Sequence, residues 1–122
     1  MTRDRAVTGR EGERAAAEYL RRRGYAILAT NWRSGRYELD IVAVGGGCIR
    51  FVEVKTRDAE GLTAPEEALT AAKCSFMVSA ATRYLALHGC REEPHLDLAA
   101  VDVLPDGEYR VRYIADAVEC HW

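Results

Sequence analysis

Asp40, Glu53 and Lys55 stand at a D-(x)12-E-x-K spacing on two runs of strand-forming residues joined by three glycines. Two carboxylates and an ammonium group gathered on one sheet face could hold a hard divalent cation such as Mg²⁺ or Mn²⁺ and orient a water or a phosphate oxygen. That is the equipment of metal-dependent phosphodiester hydrolysis.

Tyr37 to Val44 and Cys48 to Lys55 are both rich in β-branched and apolar residues, with Gly45-Gly46-Gly47 between them, so the segment reads as a β-hairpin. A two-residue turn at Gly46-Gly47 with positive φ pairs Gly45 with Cys48, which sets Asp40 opposite Glu53 and Glu38 opposite Lys55. With a side-chain period of two, these four residues share one face. A three-glycine loop would shift that register by one.

Like charges directly opposed on a sheet are destabilising, so Asp40 against Glu53 calls for a cation between them. The plainer alternative is a solvated hairpin face on which Glu38 and Lys55 form a surface pair worth a few tenths of a kcal/mol.

The elements around the hairpin follow from periodicity and punctuation. Thr8-x-x-Glu11 has the form of a capping box, and Ala16, Tyr19, Leu20 and Arg23 recur at helical spacing until Gly24, which predicts a helix over 9–23. Glu13 falls on the apolar side of that helix, where it either reaches solvent at the domain edge or contributes a third acidic group to the hairpin. Tyr25 to Trp32 reads as a first strand, and Arg33-Ser34-Gly35-Arg36 as a loop whose arginines flank the acidic cluster.

Thr63-x-x-Glu66 is a second capping-box candidate, and the series Leu69, Ala72, Phe76, Ala80, Tyr84 and Leu87 predicts a helix of about six turns ending at Gly89. Lys73 lies at the edge of its apolar stripe, either packing its stem or contacting phosphate. Residues 58–62 read as a mobile loop after Lys55 and Arg57. Residues 96–103 and 108–114 form two further strands about the turn Pro105-Asp106-Gly107. The order α-β-β-β-α-β-β predicts an α/β fold with a mixed sheet flanked by helices, in one domain over 1–122.

The overall charge of −2 conceals an asymmetry. Residues 1–57 carry 12 basic against 7 acidic side chains, and residues 58–122 carry 5 against 12. The hairpin lies in the basic half, as contact with a polyanion requires, although Arg21-Arg22-Arg23 also suits a helix C-terminus. With 48% hydrophobic and 30% charged residues, no stretch of membrane-spanning length and no apolar segment after the first residues, the chain is expected to be cytoplasmic. Cys48, Cys74, Cys90 and Cys120 show no C-x-x-C spacing and read as free thiols acting as small hydrophobes, with structural zinc the lesser alternative. His88 is expected at a helix end and His95 in a loop.

Gly12-Glu13, Gly24-Tyr25, Asn31-Trp32-Arg33, Glu38-Leu39-Asp40-Ile41-Val42-Ala43, Phe51-Val52-Glu53-Val54-Lys55-Thr56-Arg57, Glu67-Ala68-Leu69 with Lys73, and Leu96-Asp97-Leu98 together resemble the YraN-type family of uncharacterised bacterial proteins. The likeness covers nearly the whole chain. That family in turn resembles the PD-(D/E)xK nucleases, Holliday-junction resolvases and RecB-like domains among them, which implies a restriction-endonuclease-like fold. It implies further that Asp40 and Glu53 bind Mg²⁺ or Mn²⁺, that Lys55 is the catalytic lysine, that Glu13 completes the acidic site and that the Val54 carbonyl is an added ligand. Tyr37 departs from the glycine usual before the Glu-x-Asp run, which bears on substrate access.

The function expected from the resemblance is DNA endonuclease activity on branched or recombination intermediates, with a symmetric homodimer and DNA contacts at Arg33, Arg36, Arg57 and Lys73. A DNA-binding module of the same fold without useful catalysis, and an interaction protein docking a basic partner on its acidic half, are the alternatives.

Overall fold

The computed structural model describes residues 5–58 and 69–119, with side chains from residue 9 onward. Its elements are α1 (Arg5–Arg22), β1 (Ala26–Ser34), β2 (Tyr37–Gly45), β3 (Cys48–Asp58), α2 (Ala71–His88), β4 (Glu93–Val103) and β5 (Tyr109–Val118). They occur in the expected order and build one five-stranded sheet whose spatial order matches the sequence order, β1 to β5. All neighbouring pairs are antiparallel except β3 and β4, which run parallel because α2 carries the chain back between them.

Each helix covers one face of the sheet. Ala16, Ala17 and Leu20 of α1 pack with Ile41, Ala43, Val52, Ala99 and Val101. Met77, Ala80, Ala81 and Tyr84 of α2 pack with Val42, Ile49, Phe51 and Leu96 on the other side. Full burial of a side chain such as Phe51 or Ile49 favours folding by about 1.5–3 kcal/mol, which is why the central strands read as nearly continuous apolar runs.

The glycine turn has the geometry its sequence requires. Gly46 and Gly47 take φ of 58° and 81°, and Gly45 pairs with Cys48. Gly12 serves a different purpose, because a Cβ there would overlap Thr56 Oγ1 of β3, so its bare backbone lets α1 lie close on the sheet.

Several boundaries differ from the sequence expectation. Helix α1 begins at Arg5, so Thr8 lies inside it rather than capping it. Thr70 caps α2, its hydroxyl accepting the Lys73 N–H at 3.2 Å, while the expected cap at Thr63 lies outside the described residues. Of the expected 58–62 loop, Asp58 ends β3 and the rest lies outside the described residues. His95 belongs to β4, not to a loop, since β4 starts three residues before the expected Leu96. Among the described residues no helix is long and apolar enough to cross a membrane.

Candidate active site

The β2–β3 ladder runs from Gly45↔Cys48 to Ile41↔Val52, and from there the two strands part, β2 staying with β1 and β3 with β4. The fork opens one step beyond that last pair, at Asp40 and Glu53, which fall outside the paired register. Asp40 turns into it, and Asp40 Oδ2 accepts the Val54 N–H at 2.8 Å, a group the lost ladder would otherwise leave unpaired. The N–H and C=O of one strand residue point to the same edge, so the Val54 carbonyl borders this gap as well.

The irregularity extends into β1. Pairing of Thr30 with Ile41 and of Trp32 with Leu39 puts Asn31 opposite Asp40. Asn31 has a φ of 51°, a left-handed value that asparagine tolerates better than most residues. Ala29 and Trp32, three apart, both pack on the α2 side, and Leu39 joins them although Ile41 packs on the α1 side. Strict two-residue alternation therefore fails at Asn31 and Asp40. The Asn31 amide crosses to α1, where its Nδ2–H donates to Glu13 Oε2 at 2.8 Å.

Charge converges on the fork from four elements. Glu53 is 7% exposed, and its Oε1 lies 3.1 Å from Lys73 Nζ of α2 and 3.9 Å from Lys55 Nζ. Burial, and next the Glu53 charge, push the Asp40 carboxyl up to about 6, with the Val54 N–H and Lys73 opposing. Glu13 is likewise raised, by burial first and then by Asp40 and Glu38, while Asn31 pulls it the other way. Asp40, Glu53 and Glu13 thus share one electrostatic neighbourhood, with Lys55 and Lys73 beside it. Carboxylate oxygens of this kind suit a hard divalent cation, although Glu13, Asp40 and Glu53 do not close into a three-ligand group within 4.8 Å among the described residues.

Other expected contacts resolve differently. Glu38 pairs with Arg33 at 3.3 Å instead of with Lys55, because the fork separates the strands before those residues meet. Arg36 and Arg33 are exposed, and the Arg36 guanidinium lies 5.5 Å from the Tyr37 ring. Arg57 also pairs with the buried Asp102 at 3.5 Å, together with Arg110 and Arg112. Tyr37 lies on Phe76 of α2 with ring centroids 5.5 Å apart, and Phe76 is in turn beside Lys73. Arg83 went unnoticed in the sequence. Its Nε–H donates to Ser34 Oγ at 2.8 Å, which sets a further cation beside the β1–β2 turn.

The sheet order, the two covering helices and the forked acidic site define a resolvase-like, restriction-endonuclease-like fold. A solved Holliday junction resolvase, Hjc of Archaeoglobus fulgidus, superposes with a TM-score of 0.52 at 20% identity, over 90% of each chain. The chain belongs to the uncharacterised protein family UPF0102, whose model matches residues 12–104, which bears out the YraN-type resemblance. A relative from Symbiobacterium thermophilum is 44% identical over 89% of this chain and 93% of its own length. One from Oleidesulfovibrio alaskensis is 51% identical over 78% of this chain. The match to this chain spans about half (48%) of the Oleidesulfovibrio protein and 61% of a Nitratidesulfovibrio vulgaris relative.

Proposed function

We propose that residues 1–122 act as one endonuclease-like unit that hydrolyses phosphodiester bonds in DNA with Mg²⁺ or Mn²⁺. The observation that carries this reading is the fork itself, where the sheet ladder ends beside Asp40, whose Oδ2 accepts the Val54 N–H at 2.8 Å, and the buried Glu53 meets Lys73 and Lys55, a setting that pushes the Asp40 carboxyl up. A protein without use for a cation there would gain by replacing one of the two acids.

Asp40, Glu53, Glu13 and the Val54 carbonyl would hold the ion. When bound, it supplies a Lewis acid for the scissile phosphate and lowers the pKa of a bound water. The chain's own residues do the positioning. Lys55, 48% exposed, can donate to the water or to a phosphate oxygen while its stem stays beside Glu53. Lys73 offsets charge on Glu53, and Asn31 fixes the Glu13 carboxylate. Arg33 and Arg36 supply exposed cations for the backbone of the substrate, and Arg57, which also pairs with Asp102, adds a third. A cytoplasmic location, a symmetric homodimer and branched DNA as substrate complete the proposal, the last prompted by a fold neighbour named for resolving Holliday junctions.

The test is incubation of the protein with four-way junction, flap and single-stranded DNA in Mg²⁺ or Mn²⁺. Cleavage is expected to vanish on chelation and to fall by about 100-fold or more in Asp40→Asn. Cleavage that survives this substitution unchanged belongs to a contaminant and removes the reading. Salt-sensitive DNA binding without cleavage by the wild type establishes the catalytically silent module instead.

A further inference from the structure

We propose a second metal site, for zinc, at the opposite end of β3, made by Cys48 Sγ, His95 Nε2 and the Glu93 carboxylate. These three ligand atoms lie within 4.8 Å of one another. Cys48 and Glu93 are partners in the parallel β3–β4 register, and His95 follows two residues after Glu93, so the sheet period puts all three on one face. Five residues of strand, about 16 Å, separate Cys48 from Glu53, which makes this site distinct from the fork.

His95 is prepared for the role by its surroundings. Its Nδ1 lies 2.6 Å from Asp116 Oδ1, a contact that turns Nε2, on the far side of the ring, toward Cys48 and Glu93. That Nε2 is shielded from solvent and has no hydrogen-bond partner among the described residues, with a Glu93 oxygen 3.7 Å away. An orphaned, buried imidazole nitrogen costs free energy unless something accepts its lone pair.

The supporting carboxylate is itself held. Three residues of β5, 115–117, bulge opposite Asp97, between the pairs Leu96↔Val118 and Leu98↔Ile114. At the bulge Asp116 adopts a φ of 53°, and its N–H donates to Asp97 Oδ1 at 2.8 Å. Asp97 is fully buried and is fixed by Arg50 and by the Tyr113 hydroxyl. The chain Asp97–Asp116–His95 thus reproduces the carboxylate–histidine support that metal ligands require.

Ligand chemistry selects the ion. A thiolate, an imidazole and a carboxylate suit a borderline-soft divalent cation, with bonds of about 2.0–2.3 Å, and not the all-oxygen shell of Mg²⁺. Closing the cluster onto such an ion needs movement of about 1 Å, which Glu93, 75% exposed, can supply. Three protein ligands leave a fourth position open to water or to a small ligand. The cysteine spacing concealed the site because its ligands are joined across two strands, not along one loop.

The test is titration of the full chain, reduced and metal-free, with Co²⁺ as spectroscopic probe and then with Zn²⁺. One equivalent of Co²⁺ is expected to give a thiolate charge-transfer band in the near ultraviolet that Zn²⁺ abolishes. Cys48→Ser should remove the band, Glu93→Gln should weaken binding without disturbing the fold, and Asp116→Asn should weaken it about 10–100-fold. Zn²⁺ should also protect Cys48, but not Cys74, from alkylation mapped by mass spectrometry. Absence of the band, its persistence in Cys48→Ser, or affinity unchanged in Glu93→Gln overturns the proposal. None of these results depends on whether the fork cleaves DNA.

Discussion

Asn31 holds Glu13 by a 2.8 Å hydrogen bond, from a backbone position at φ 51° that lies directly across from Asp40. One residue therefore turns the side-chain alternation of β1, aims an acid from α1 and borders the fork. Asn31→Gly keeps the left-handed backbone and loses the donor, whereas Asn31→Ala loses the donor and adds strain of about 1–2 kcal/mol. Mn²⁺-dependent cleavage should drop in both variants, and a lower Tm should appear chiefly with alanine. Full cleavage in both would remove Glu13 from the site.

The raised Asp40 carboxyl predicts an unusual pH dependence of stability. Its value is about 6 in the folded protein against 3.8 as the ordinary reference, so the native state binds the proton more tightly. The ionised carboxylate opposes folding above about pH 6, and this penalty fades as pH falls towards 4. Asp40→Asn should then exceed the wild type in stability at pH 7.5 without metal, and the two should converge near pH 4. Denaturant melts across this range check it, and a variant less stable than the wild type at pH 7.5 contradicts it. Added Mg²⁺ should stabilise the wild type alone.

Asp102 behaves in the opposite sense. Hydrogen bonds from Arg112 foremost, then from Arg110 and Arg57, hold its carboxyl below the ordinary carboxylate range against the effect of burial. Its contribution is complete above that range and is lost as pH falls through the lowered folded value. Asp102→Asn leaves three guanidinium groups facing a neutral amide. Because Arg110 and Arg112 also reach solvent, the expected loss is about 3 kcal/mol, at the low end for a broken buried pair, read as a shift in urea midpoint at pH 7. A loss below about 1 kcal/mol would show that water already satisfies those cations.

Gly12 sets the distance between α1 and β3. Gly12→Ala should cost about 1–3 kcal/mol by overpacking against Thr56 and should displace Glu13, lowering cleavage. Adding Thr56→Ala removes the atom in the way. The double variant should regain stability beyond the sum of the two single effects, and strict additivity would place the strain elsewhere.

Much of this architecture could be read from the chain because local rules agreed with one another. Gly46-Gly47 takes the two-residue turn, which sets Gly45 against Cys48 and the register as far as Ile41 against Val52, one step short of the expected Asp40–Glu53 pair. The fork could not be read, since the period of two gives no warning that β2 and β3 separate after Ile41↔Val52, and the expected Glu38–Lys55 pair fails for that reason. The contact of Lys73 with Glu53 depends on which turn of α2 faces β3, a matter of packing that α2's own sequence does not encode. Charge alone marks Arg57 as a DNA contact, and its pairing with Asp102, 45 residues away, is invisible in the sequence. The Cys48–Glu93–His95 cluster is hidden for the same reason, because the parallel pairing of β3 with β4 creates it.

The central claim is that Asp40 and Glu53 share a divalent cation, and Mn²⁺ titration followed by electron paramagnetic resonance addresses it directly. The wild type and Cys48→Ser should both bind Mn²⁺ at the fork, and Asp40→Asn and Glu53→Gln should each lose that binding. Equal Mn²⁺ affinity in the wild type and in both carboxylate variants would contradict the account.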